Sequence, residues 1–292
     1  MVDSAAGPVK RFIVFTDLDA TLLDHNNYSW QPASPAIDAL AAQGSPLILS
    51  SSKTLAEMVD LARDLNTKSP IISENGALIA IPVDHRIAAK LPSKTTYENY
   101  KIKIDGISRK EILKVSNQLR REFGYQYVGF SDWTAAEISH QTGLTLEAAE
   151  LASQRYATEP IVWGDTFQRW TTFESAIKAR GIQAVRGGRF IHLMGQTDKA
   201  KGMLQLATYY RSNYPEILWT TIGLGDSDND IGMISQADVG VVIPNPQRAN
   251  PLQLDGTHII QAPHPGPIGW NSVITGLVTS SSEHLPRINK NG

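Results

Sequence analysis

Directly after the apolar run Phe12-Ile13-Val14-Phe15 stands Thr16-Asp17-Leu18-Asp19-Ala20-Thr21, with two aspartates at i and i+2. A short apolar run of this kind reads as a buried strand, so both carboxylates surface at its end. Carboxylates so placed allow two roles in phosphoryl transfer. One attacks phosphorus as a nucleophile; the other donates a proton to the leaving oxygen and later takes one from water. Three more polar clusters follow or precede apolar segments: Ser50-Ser51-Ser52-Lys53-Thr54, Asp198-Lys199, and Gly225-Asp226-Ser227-Asp228-Asn229-Asp230. Carboxylates converging from two strand ends suit a hard cation with oxygen ligands, of which Mg2+ is the expected one. A phosphate near several carboxylates needs that metal and a lysine to offset its charge. Backbone N–H groups opening the helix after the serines would add donors.

Such clusters require a scaffold that brings strand ends to one edge, which open α/β sheets provide. The first 80 or so residues alternate between short apolar runs (12–16, Pro46–Ser50, Pro70–Ser73) and helical patterns. Ser34 is expected to cap the first helix, with Pro35 at its first position and Gly44 past its end. Leu55, Met58, Val59, Ala62 and Leu65 make one apolar helix face. From about residue 85 the pattern mixes strands and helices with more polar faces, including capping boxes at Ser108/Glu111 and Thr134/Glu137. After residue 196 the first pattern resumes. The tail from residue 262 is rich in Pro and Gly and closes on a short apolar stretch, 272–278. The expected fold is α/β: a Rossmann-like parallel-sheet core with helices on both faces, residues 1–84 and 195–292, and an inserted α+β domain, residues 85–194.

Composition narrows the function class. The chain has 292 residues, 41% of them hydrophobic, and a formal net charge of -2. That charge gives no electrostatic ground for a nucleic-acid or anionic-membrane partner. Cysteine is absent, which excludes disulfides, thiolate catalysis and cysteine zinc sites. The N-terminal MVDSAAGPVKR has no apolar signal core, and no apolar run is long enough to span a bilayer. A cytoplasmic protein, monomer or homodimer, acting on a small molecule is expected.

The four clusters, in this order, resemble the motifs of the haloacid dehalogenase superfamily of phosphohydrolases. DxDx[TV] matches Asp17 to Thr21, the Ser after an apolar strand matches Ser51, the Lys opening a helix matches Lys199, and GDxxND matches Gly225 to Asp230. The insertion between the second and third motifs resembles a type IIB cap. A narrower resemblance, to mannosyl-3-phosphoglycerate phosphatases, rests on YSW 28–30, SSKT 51–54, SENGA 73–77, TGL 142–144, RYATEP 155–160, GGRF 187–190 and PGPIGW 265–270. It implies a Mg2+-dependent phosphatase that hydrolyses a mannosyl- or glucosyl-3-phosphoglycerate through an aspartyl-phosphate, in osmolyte synthesis. It further implies Asp17 as nucleophile, Asp19 as general acid/base and Lys199 as the lysine beside them. Asp17, the Asp19 carbonyl and Asp226 would hold the metal, with Asp230 outside them, and Ser51, Ser52 and Asn229 would serve the phosphate. Asp228 is left out of that set.

In the insertion, a turn at Gly187-Gly188 is expected to expose backbone N–H groups to substrate, and Arg189 could grip a carboxylate bidentately. Arg155 and Glu159 are read either as an internal ion pair or as substrate contacts; His192 and Trp30 are read as packing residues. Alternatives are another sugar-phosphate phosphatase or a phosphomutase of the same superfamily, or a non-catalytic sugar-phosphate-binding protein. Ala20 stands where the family most often has glycine. A negative φ is therefore expected there, with the Thr21 hydroxyl fixing the turn.

Overall fold

The computed structural model describes residues 9–187 and 189–282. In chain order the strands are β1 (Val9–Thr16), β2 (Leu47–Ser50), β3 (Ile71–Ser73), β4 (Leu78–Pro82), β5 (Thr96–Tyr97), β6 (Tyr100–Ile104), β7 (Tyr127–Gly129), β8 (Thr158–Trp163), β9 (Ile182–Arg186), β10 (Ile191–Gly195), β11 (Ile217–Gly225), β12 (Val239–Val242) and β13 (Ile259–Gln261). The α-helices are α1 (Ser34–Ala42), α2 (Leu55–Asp64), α3 (Arg109–Phe123), α4 (Ala135–Thr142), α5 (Leu146–Ser153), α6 (Phe167–Lys178), α7 (Lys199–Asn213), α8 (Ile231–Gln236) and α9 (Gly266–Ser282). The chain divides into two compact units, Met1–Ile48 with Ala207–Gly292, and Leu49–Leu206.

In the first unit β1 runs parallel to β11 in register from Val9↔Ile217 to Thr16↔Leu224. β12 and β13 extend the sheet in parallel. Ile13, Val14 and Phe15 are all fully buried, successive residues on opposite faces, as parallel strands covered on both sides require. The buried indole of Trp270, on α9, donates to Thr16 Oγ1 at 3.0 Å.

In the second unit β2 pairs in parallel with β3, while β4, β6 and β5 continue antiparallel. A separate four-stranded sheet has the order β7-β8-β10-β9, with every neighbouring pair antiparallel. Its core is aromatic: Tyr125, Tyr127, Trp170 and Phe173 are buried with Ile112, Leu119 and Ile177. The expected caps are present. Ser108 accepts from Glu111 N and Thr134 from Glu137 N, with Gly124 ending α3 at φ 66°. α2 buries Leu55, Met58, Val59 and Ala62 and has its own capping box, Thr54 with Glu57.

One expectation about these elements is corrected. Ser34 does not cap α1: a 3-10 turn, Gln31–Ala33, runs straight into the helix, Ala33 is the N-cap, and the Ser34 hydroxyl turns back to Gln31 O. β3 is followed by an antiparallel neighbour, β4. Glu74, Asn75 and Gly76 have φ of 52°, 57° and 92°, and this left-handed run folds β4 back antiparallel. The Pro- and Gly-rich tail opens the long helix α9, which carries the apolar stretch 272–278 and packs on α1. Its prolines precede or open the helix, where a missing N–H costs no intrahelical bond.

Candidate active site

β1 and β11 are neighbours in register, so Asp17 and Asp226 follow adjacent strand ends, with Asp17 N donating to Leu224 O at 2.9 Å. Asp17, Asp226 and Asp230 each offer a carboxylate oxygen within 4.8 Å of the others, and all three residues are buried. Asp230 reaches the cluster from a 3-10 turn, Asp228–Asp230, after β11. Its Oδ2 accepts from the backbone N–H of Asp226 at 3.2 Å and of Ser227 at 3.1 Å. Gly225 permits this, because a Cβ there would overlap the Asp230 side chain. Asp226 is held from both oxygens: Thr21 Oγ1 donates to Oδ1 at 3.1 Å and Asn245 Nδ2 donates to Oδ2 at 2.7 Å. Asn229 stays within the loop, its Oδ1 accepting from Ser227 Oγ at 2.5 Å. Asp228 is largely exposed and pairs with Arg248 at 2.8 Å, outside the cluster.

Asp19 is half-buried in the turn after β1. The turn closes through Thr21 N to Leu18 O at 3.1 Å and Leu23 N to Leu18 O at 2.8 Å. Ala20 has φ 59°, contrary to the negative value expected. To close both bonds the chain must enter the left-handed region within one residue, where glycine would fit at less cost. The Thr21 hydroxyl is spent on Asp226 rather than on the turn. Asn245 and Trp270 support the site without a local signal in the sequence. Asn245 lies in the irregular segment after β12, where no periodicity marks it, and the Trp270 bond to Thr16 is a contact between distant parts of the chain.

The expected phosphate-binding groups lie in the second unit. Ser51, just beyond β2, and Lys199, the first residue of α7, are both buried, and Ser52 is half-buried. Lys199 follows the peptide on which the Glu74–Gly76 turn rests; a Cβ on Gly76 would overlap the Asp198 carbonyl. That turn is tied to the Ser51 loop by Glu74 N to Lys53 O and Asn75 N to Ser51 O, both 2.9 Å. The fully buried Glu74 carboxylate accepts from Tyr156 N at 2.8 Å, Ala157 N at 3.1 Å and Thr158 Oγ1 at 2.6 Å.

Gly188 lies outside the described residues. Arg189 donates from Nη1 to Gln141 O at 3.0 Å and from Nη2 to Thr142 O at 2.7 Å, a cation at the C-terminus of α4. Arg155 and Glu159 do not pair. Glu159 takes the Arg109 Nε at 2.8 Å and Ser131 N at 2.7 Å, while Arg155 turns toward Ser52 and Thr158. Burial, with the Arg155 charge, pushes the His192 pKa down to about 3, so this imidazole is neutral. Trp30 is half-buried.

The acidic cluster contains no histidine or cysteine, and its oxygen-only donor set fits Mg2+. The description "haloacid dehalogenase-like hydrolase" fits a family model that matches residues 14–142 and 164–250. A glucosyl-3-phosphoglycerate/mannosyl-3-phosphoglycerate phosphatase of Methanococcoides burtonii is 36% identical over 268 residues, 92% of this chain and 97% of its own length. One of the same name from Persephonella marina is 34% identical, over 90% of this chain and 95% of its own. A solved subclass IIB sugar phosphatase of the superfamily shares the fold at TM-score 0.58 and 14% identity, covering 93% of this chain and 99% of its own. Among the described residues no helix is long and apolar enough to cross a membrane. The chain belongs to the haloacid dehalogenase-like hydrolases, and within them to the phosphatases that cleave phosphoric monoesters.

Proposed function

We propose that this phosphatase is Mg2+-dependent and hydrolyses a glycosyl-3-phosphoglycerate, mannosyl or glucosyl, to the glycosylglycerate and phosphate. The observation that carries the reading is the buried trio Asp17, Asp226 and Asp230 in a chain similar over 90% or more of its length to two phosphatases named for those substrates. Asp17 attacks phosphorus, the phosphorus–oxygen ester bond breaks, and Asp19 hands its proton to the departing glycerate oxygen. Water then attacks the aspartyl-phosphate, Asp19 takes its proton back, and phosphate leaves Asp17. Splitting the displacement in this way replaces one slow step by two easier ones. Asp17, the Asp19 carbonyl and Asp226 would hold Mg2+, with Asp230 behind them; the ion's charge, when bound, offsets the phosphoryl and carboxylate oxygens. Ser51, Ser52, Asn229 and Lys199 serve the phosphate.

The division into a core (1–84 and 195–292) and a cap (85–194) belongs to the same proposal. What supports it is that the four-stranded sheet has an aromatic core of its own. A cytoplasmic setting and a monomer or homodimer are proposed with it.

The test is phosphate release from both 3-phosphoglycerate glycosides beside a panel of sugar phosphates, in Mg2+. The glycosides should be the preferred substrates, and Asp17→Asn, nearly isosteric, should lower turnover by roughly four orders of magnitude or more. Equal rates across the panel overturn the substrate, and a fully active Asp17→Asn overturns the nucleophile.

A further inference from the structure

Arg155 has a cation without an acidic partner among the described residues. Its Nη1 donates to Thr158 Oγ1 at 2.9 Å and to Ser52 O at 3.3 Å. Thr158 gives its hydroxyl proton to Glu74 Oε2 at 2.6 Å, so toward Arg155 it can only accept. Both Nη1 protons are thereby fixed, and the orientation of the fork with them. The opposite edge, Nε with Nη2, is unclaimed, and Nε is shielded from solvent with no hydrogen-bond partner. The guanidinium carbon stands 5.5 Å from the Phe130 ring centroid, an apolar flank. The other neighbour, His192, is neutral and offers no compensating charge. A guanidinium held in place without an anion is costly unless a ligand completes it.

From this we infer that Arg155 is the specificity-determining cation for the carboxylate of the glycerate part of the substrate, gripped through Nη2, with Thr158 and Glu74 as positioning residues. This rests on the substrate reading above. Because Nη1 is held by Thr158 and Ser52, Nη2 is presented in one direction for a charge-assisted bond to a carboxylate oxygen. Arg155 touches the backbone of Ser52, next to Ser51, the proposed phosphate group. The phosphate ester and the carboxylate sit at the two ends of the three-carbon glycerate, so one small substrate carries both anions. Arg189, by contrast, has both terminal nitrogens on carbonyls of α4.

The experiment compares kcat/KM for glucosyl-3-phosphoglycerate, its glycerate methyl ester, and p-nitrophenyl phosphate, in Mg2+, for the wild type, Arg155→Met and Arg155→Lys. The wild type should favour the acid over the ester. Arg155→Met should lose roughly 100-fold on the acid and less than about threefold on the other two, which also shows that it folds. Arg155→Lys, keeping charge but not the fork, should recover part of the loss. Equal losses on all three substrates would assign Arg155 to the phosphate or to the Ser52 loop and overturn the inference. So would an acid preference retained by Arg155→Met, or one lost only in Arg189→Met, with the substrate reading left standing. Wild-type turnover of p-nitrophenyl phosphate but of neither glycoside would instead sink the substrate reading, and this inference with it.

Discussion

Asp226 shows how much of the site is orientation rather than charge. A carboxylate free to rotate would spread its lone pairs over many directions; Thr21 and Asn245 each take one oxygen and leave the remaining lone pairs aimed at the cluster. Partners behind a ligand commonly set metal affinity by 10- to 100-fold. Asn245→Ala should therefore raise the Mg2+ Kd by about 10-fold, read by calorimetric titration of the protein with Mg2+ alone; an unchanged Kd would show that Asn245 only packs. Ala20 is the second residue-scale case. A left-handed alanine carries about 1–2 kcal/mol of strain, partly offset because glycine loses more chain entropy on folding. Ala20→Gly should leave stability unchanged or raise it by up to about 1 kcal/mol, measured by urea unfolding, whereas most glycine substitutions in ordered backbone lower it.

At the scale of elements, the turn between β3 and β4 joins several parts of the second unit. Its three left-handed residues reverse the chain, its backbone pins the Ser51 loop, and its Glu74 carboxylate fixes the segment entering β8. Glu74→Gln replaces an acceptor by an amide that faces N–H donors. It should cost roughly 2–4 kcal/mol, seen as a lower urea midpoint at unchanged m. Gly76 seats the same turn against the peptide before Lys199. Gly76→Ala should cost at least about 2 kcal/mol and lower kcat/KM by roughly 100-fold, because the overlap displaces the start of α7. A Gly76→Ala protein with wild-type kcat/KM would show that Lys199 tolerates the shift.

For the molecule as a whole, pH reaches stability through His192. Its folded pKa of about 3 lies below the ordinary 6.5, first from burial and then from the Arg155 charge. The unfolded chain therefore binds a proton that the folded chain refuses. Sign and window follow: the contribution is full above pH 6.5 and is lost progressively as pH falls toward 3. The slope approaches about 1.4 kcal/mol per pH unit inside that window. Unfolding free energies at pH 6.5 and 4.5 should fall less steeply for His192→Asn than for the wild type, and parallel profiles would remove His192 from the acid response.

What the residues determined alone was local. The motif order, apolar run lengths and capping boxes at Ser108 and Thr134 announced strand ends bearing carboxylates and, through the family they resemble, a phosphatase. These signals are carried by neighbours within a turn or a strand, where spacing dictates geometry. Tertiary structure decided the rest. The Ala20 conformation depends on two bonds closing one loop, and the bond from Trp270 to Thr16 joins residues more than two hundred positions apart. Asp226 takes its support from both Thr21 and Asn245, and the choice of Arg109 over Arg155 by Glu159 turns on which guanidinium the fold brings nearer. Periodicity records which face is buried; it holds no record of which distant side chain will stand opposite.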